Sequence, residues 1–69
     1  MKFGEKLRLL RTLKKSTMSE VAKAVGVSLR AYSDYELGRR YPRTRDKYVK
    51  LADFFDVDVN YLDAEASRL

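Results

Sequence analysis

The sequence predicts an all-α domain of five short helices, and three observations carry that prediction. Apolar residues recur at three-to-four spacing along most of the chain. No run alternates convincingly as a strand, and residues that start and stop helices stand between the apolar segments. With 69 residues the chain can bury one core, so it is taken as a single domain over 1–69 with no room for a cleft between two.

Phe3, Leu7, Leu10 and Leu13 lay out an amphipathic helix over about 3–15, with Lys6, Arg8, Lys14 and Lys15 largely off that face. Thr17-Met18-Ser19-Glu20 has the form of a capping box, so a second helix starts there and buries Val21, Ala22 and Val25. Gly26 follows the last periodic residue, where a left-handed residue closes a helix, and Ser28 two residues later is a good N-cap. The third helix, about 28–37, carries Tyr32, Tyr35 and Glu36 on one face. Leu29, Arg30, Ser33, Asp34 and Leu37 fall on the other, which is half polar and has no evident core partner. A loop from Leu37 to Thr44 surrounds Pro42, the sole proline. Thr44 then caps a fourth helix with Tyr48, Leu51, Ala52 and Phe55 inward, and Asp58 caps a short fifth helix carrying Val59 and Leu62.

Composition excludes several functions. There is no Cys and no His, which removes disulfides, zinc fingers, thiol nucleophiles and the usual imidazole base. Ser19, Ser28 and Ser33 have nothing to activate them, so no catalytic residue is assigned and the chain is not expected to be an enzyme. Asp56-Val57-Asp58-Val59-Asn60 looks like half of a calcium loop, but Tyr61 stands where the turn needs Gly and Ser67 where the loop ends in Glu. No metal and no cofactor are therefore expected. Nothing approaches the roughly eighteen apolar residues of a membrane span, and Met1-Lys2-Phe3-Gly4-Glu5 lacks the apolar core of a signal peptide, so a cytoplasmic location is expected.

The net charge of +5 is unevenly spread. Residues 1–15 balance to +5 and residues 28–45 to +3, the latter through Arg30, Arg39, Arg40, Arg43 and Arg45. Residues 46–69 balance to −3. Such a dipole orients a molecule on a polyanion, and a phosphate backbone is the commonest one. The alternative is a merely solvated surface.

Two short helices joined at Gly26, the first small and apolar and the second with an exposed polar face, have helix-turn-helix geometry. The run Thr17-Met18-Ser19-Glu20-Val21-Ala22-Lys23-Ala24-Val25-Gly26-Val27-Ser28, continued by Tyr32-Ser33, Tyr35-Glu36, Gly38-Arg39-Arg40 and Pro42, resembles the lambda-repressor and Cro type, often called XRE. Helix one with Arg11, and Leu51-Ala52, Phe55, Val57 and Val59-Asn60-Tyr61-Leu62, extend the resemblance over about residues 3–62. The helix-turn-helix itself spans about 17–37. The chain departs from the pattern in three places: Met18 where the family commonly has Gln, Ser16 in place of an apolar residue before the cap, and one extra residue between Pro42 and Ala52.

The resemblance implies a transcriptional regulator of the repressor sort that inserts its recognition helix into the major groove of double-stranded DNA. It places Leu29, Arg30 and Asp34 against the bases, with Ser33 beside them. Arg30 can donate two hydrogen bonds to guanine, Leu29 can touch a thymine methyl, and Asp34 can accept from cytosine N4. On the alternative reading these residues are ordinary surface, with Asp34 tethering Arg30 four positions earlier. Phosphate contacts are implied for Thr17 and Met18 through the helix start, for Ser28, and for Arg39, Arg40, Tyr41 and Arg43 in the loop. Arg11 and Glu36 both point inward, and the resemblance implies that they meet as a partly buried ion pair. A homodimer on a palindromic operator is expected, with Tyr61, Leu62 or the tail 63–69 at the interface. Three rivals stand beside this: an antitoxin with the same fold, a purely protein-binding module using Leu29 and Leu37, and an interfacial membrane helix in residues 3–15.

Overall fold

The computed structural model describes residues 1–66, with side chains through Leu62. It contains α1 (Phe3–Lys14), α2 (Met18–Val25), α3 (Leu29–Leu37), α4 (Arg45–Phe55) and α5 (Val59–Ala66), and no strand among the described residues. The five helices agree with the all-α expectation.

Helix starts follow the local chemistry. Thr17 and Glu20 form a reciprocal capping box: the Glu20 N–H donates to Thr17 Oγ1 at 3.0 Å and the Thr17 N–H to Glu20 Oε1 at 2.8 Å. Ser28 Oγ accepts the Ala31 N–H at 3.0 Å. Asp58 Oδ1 accepts the Asn60 N–H at 2.8 Å. Thr44 differs from expectation, because it has the extended backbone of an N-cap but its side chain makes no cap hydrogen bond. Helix ends are closed by left-handed residues, of which Gly26 and Gly38 need no steric concession (φ +82° and +78°). Lys15 and Asp56 adopt the same conformation at φ 58° and 56°. At Lys15 this stops α1 one residue short of the expected end, and the chain folds back so that the Ser16 N–H reaches the Arg11 carbonyl at 3.0 Å.

The core joins Phe3 and Leu7 of α1, Val21, Ala22 and Val25 of α2, Tyr32 and Tyr35 of α3, Tyr48, Leu51, Ala52 and Phe55 of α4, and Leu62 of α5. Helix α3 packs on both α1 and α2, α2 also packs on α4, and α5 closes against α4 and α1. Leu13 was expected inward but is 70% exposed. It lies about 120° around the helix from Leu7, and in the last turn of α1 that flank is left largely to solvent.

One close approach organises the α1 to α3 junction. Gly4 is buried, and a Cβ there would stand 2.4 Å from the Glu36 carbonyl oxygen and 2.6 Å from that of Tyr35. The first turn of α1 therefore sits directly on the C-terminal carbonyls of α3, a contact only glycine allows.

Candidate nucleic-acid interface

Helices α2 and α3 are joined by a turn in which the Gly26 and Val27 N–H groups both donate to the Ala22 carbonyl, at 2.9 and 3.0 Å. Ala22 is buried and Val27 packs half-buried against the core, so the angle between the helices is fixed by apolar contacts on both sides of the turn. Lys47 of α4 clasps the same turn from outside, its Nζ donating to the Val25 and Gly26 carbonyls at 3.4 Å each. The sequence reading missed this residue. Its only signal was an i+3 position after an N-cap, which any solvated lysine shares.

The outward face of α3 begins at its capped N-terminus. Leu29 is 51% exposed, Arg30 is exposed and Ser33 is half-buried. Nine residues of helix span about 14 Å, and the major groove, about 12 Å wide, admits a helix lengthwise. Asp34 does not belong to that face as expected. It is buried, and its Oδ2 pairs with Arg40 Nε at 3.2 Å rather than with Arg30. The physical reason is the turn at Gly38, which folds the chain back so that Arg39 and Arg40 donate their N–H groups to the Asp34 carbonyl at 2.9 and 3.4 Å. Among the described residues no carboxylate pairs with Arg30.

The loop after α3 presents Arg39 and Arg43 to solvent, and Arg40 keeps 57% of its side chain exposed while held by Asp34. Tyr41 turns its ring inward onto Phe3, centroid to centroid 5.4 Å, and Pro42 is buried beneath the loop. Tyr35, Arg40, Tyr41, Arg43, Thr44 and Lys47 line a shallow basic cleft there. Burial pushes the Tyr35 phenol up, and the Arg40 and Arg43 charges oppose that shift. The α2 candidates sit differently: Thr17 Oγ1 is occupied by its own cap, and Met18 packs half-buried against the core, which leaves the backbone N–H groups of that helix start.

Arg11 and Glu36 are brought together across α1 and α3. Arg11 Nε donates to Glu36 Oε2 at 2.6 Å, Nη2 to Oε1 at 3.1 Å, and Nη1 to the Ser16 carbonyl at 3.2 Å. The two side chains are 20% and 7% exposed. The hydrogen bond to Glu36 raises the Arg11 pKa, with burial acting against it. Tyr32 Oη is buried nearby without a hydrogen-bond partner among the described residues. Burial, and next the Glu36 carboxylate, hold its phenol far above the usual range. Of the residues expected at a dimer interface, Leu62 is fully buried in this chain's own core, whereas Tyr61 is 44% exposed with Lys6 Nζ 4.4 Å above its ring. The side chains of 63–69 lie outside the described residues.

Among the described residues there is no cluster that could hold a metal ion, and no helix is long and apolar enough to cross a membrane. The family described as Helix-turn-helix (HTH_3) matches residues 7–62. The HTH-type transcriptional regulator YobD of Bacillus subtilis (strain 168) is 38% identical over 60 residues, covering 87% of this chain and 53% of YobD. YqaE of the same organism, also named as an HTH-type transcriptional regulator, is 35% identical over 60 residues, covering 87% of this chain and 51% of YqaE. The cryptic phage CTXphi transcriptional repressor RstR of Vibrio cholerae is 34% identical over 62 residues, covering 90% of this chain and 54% of RstR. The chain thus spans about half the length of the curated relatives it matches. No solved structure matches it. A capped α2, a left-handed glycine turn, an α3 with an outward face and a family match over most of the chain agree: this chain belongs to the helix-turn-helix family of the lambda-repressor and Cro type, a family of transcriptional regulators and not of enzymes.

Proposed function

We propose that the chain binds double-stranded DNA sequence-specifically, with α3 in the major groove, and acts as a transcriptional repressor. The observation that carries this reading is the outward face at the capped N-terminus of α3, where Leu29 and Arg30 are exposed with no core to serve. Leu29, Arg30 and Ser33 read base edges, with Arg30 bidentate on a guanine. The backbone N–H groups at the starts of α2 and α3, with Arg39, Arg40 and Arg43, hold phosphates on either side. Thr17, Met18 and Ser28 contribute through the backbone they cap or begin, and Tyr41 through its hydroxyl. The Arg11–Glu36 pair pins α3 at the angle this requires. Repression is supported by the likeness to RstR, named as a phage repressor. A single module of this size makes few base contacts, so two copies act on a palindromic operator with half-sites about 34–36 Å apart. Tyr61, with the tail 63–69, supplies the contact between copies, and Leu62 is left to the core.

Selection of bound sites from random duplex DNA tests the proposal, and a two-fold symmetric site with one-turn spacing is the expected result. A second reading, a protein-binding module, is favoured by the exposure of Leu29 and Leu37 at 51% and 61%. Failure to enrich any sequence, with affinity for duplex that does not fall with salt, would put that reading first.

A further inference from the structure

We infer that Asp34 is a positioning residue that couples the reading helix to the phosphate-gripping loop by holding Arg40, and that it reads no base. Three features converge on it. Its carboxylate is 12% exposed, and Oδ2 forms an ion pair with Arg40 Nε at 3.2 Å. Its backbone carbonyl accepts the N–H groups of Arg39 and Arg40, so the first two loop residues are folded onto the same residue through main chain and side chain together. Arg40 is engaged through Nε while its side chain stays 57% exposed, which leaves the two terminal nitrogens of the guanidinium for an oxyanion outside.

The arrangement settles an otherwise odd placement. An acidic residue on the side of the domain that faces a polyanion lowers affinity by repulsion unless something offsets it. Here its charge is spent on an arginine, and what the arginine gains is a fixed direction. A long, freely rotating side chain must be ordered when it meets a phosphate, and one already clamped at Nε has much less freedom to lose. Because the clamp runs from α3 to the loop, the distance between the base-reading face and the Arg40 phosphate contact is set before DNA arrives.

This inference rests on the DNA-binding reading, and the test separates the two. Asp34→Asn and Asp34→Ala both remove the charge, but only the amide keeps a polar oxygen at the position facing Arg40 Nε. Affinity for random duplex is measured for both, alone and combined with Arg40→Ala. Asp34→Asn is expected to bind about two- to ten-fold more tightly than Asp34→Ala, which is the range for immobilising one such side chain. The difference is expected to vanish in the Arg40→Ala background. Equal affinity of the two variants, or a difference that persists without Arg40, overturns the inference. So does a change in the preferred base at one position in Asp34→Asn, since that is what a base-reading aspartate would show. Should Asp34→Ala fail to fold, Arg40→Lys replaces it, keeping the charge but not the guanidinium whose Nε faces Asp34. Loss of random-duplex affinity by a similar factor is then expected, and unchanged affinity overturns the inference. A wild-type chain that binds no duplex overturns the proposed function itself, and this inference with it.

Discussion

Replacing Glu36 by Ala strands the Arg11 guanidinium at the junction of α1 and α3. The two hydrogen bonds to Glu36, at 2.6 and 3.1 Å, are lost, and the Ser16 carbonyl at 3.2 Å is the partner that stays. Breaking a buried ion pair by removing one member costs about 3–5 kcal/mol. Arg11 keeps 20% exposure, so water reaches part of it and the lower end, about 3 kcal/mol, applies. A domain of this length has only about 3–10 kcal/mol of stability in all. The loss therefore moves the thermal midpoint by about 12–24 °C, which calorimetry or circular dichroism resolves easily. Arg11→Met combined with Glu36→Leu should recover much of it, since an apolar pair leaves no buried charge unpaired. A Glu36→Ala variant melting at the wild-type midpoint would refute the reasoning, because the pair would then contribute nothing. If the double variant were as unstable as the single one, the loss would lie in packing and not in the stranded charge.

Gly4→Ala should destabilise the domain by about 2 kcal/mol even though alanine favours an isolated helix by about 1 kcal/mol, because the added Cβ meets the Tyr35 and Glu36 carbonyls. Chemical denaturation of the domain and helicity of an α1 peptide should thus move in opposite directions. Tyr32→Phe should stabilise by about 1 kcal/mol, since it deletes a buried hydroxyl without a described partner; a less stable variant would mean that the hydroxyl is satisfied. The raised Tyr32 pKa also sets a pH dependence: its contribution is fully present below the ordinary tyrosine value of 10.0 and is lost as pH rises above it. Melts between pH 9 and 11 should show that part of the slope missing in Tyr32→Phe. Arg30→Ala should cost about 1–3 kcal/mol on the preferred duplex and relax one base position, whereas Arg43→Ala should weaken cognate and scrambled duplex alike and lower the salt slope by about one. Titrating both variants on both duplexes at several salt concentrations decides between reader and gripper.

What was legible in the sequence was whatever is written locally. Thr17 with Glu20, Gly26 and Ser28 announce helix ends through their own chemistry, and the structure puts each boundary beside them. The apolar rows of α2 and α4 also read directly, because Val21, Ala22 and Val25 in one case and Tyr48, Leu51, Ala52 and Phe55 in the other recur at helical spacing. Misreadings came where a distant segment decides. Leu13 fits the row of α1, but its flank is left largely to solvent. Asp34 counts as outward at helical spacing until the loop folds back and delivers Arg40 to it. Lys15 and Asp56 close helices without glycine, so composition gave no warning of where α1 stops. Gly4 carries no local signal of its role, and only the approach of α3 explains it. The placement of Leu29 and Arg30 could be read because exposure on a short helix follows from the absence of an apolar row.

The inward residues of α3 carry separate duties from the outward ones. Tyr32, Tyr35, Asp34 and Glu36 lock the helix to α1, to the core and to the loop, while Leu29 and Arg30 are exposed and Ser33 is half-buried. Change at Leu29 and Arg30 therefore carries little folding penalty, so on the proposed reading copies of such a gene can drift apart in what they recognise while remaining equally foldable. On the proposed reading of α3 the same separation makes the helix a cassette, and a library varied at 29 and 30 alone would sample new preferences on an unaltered frame.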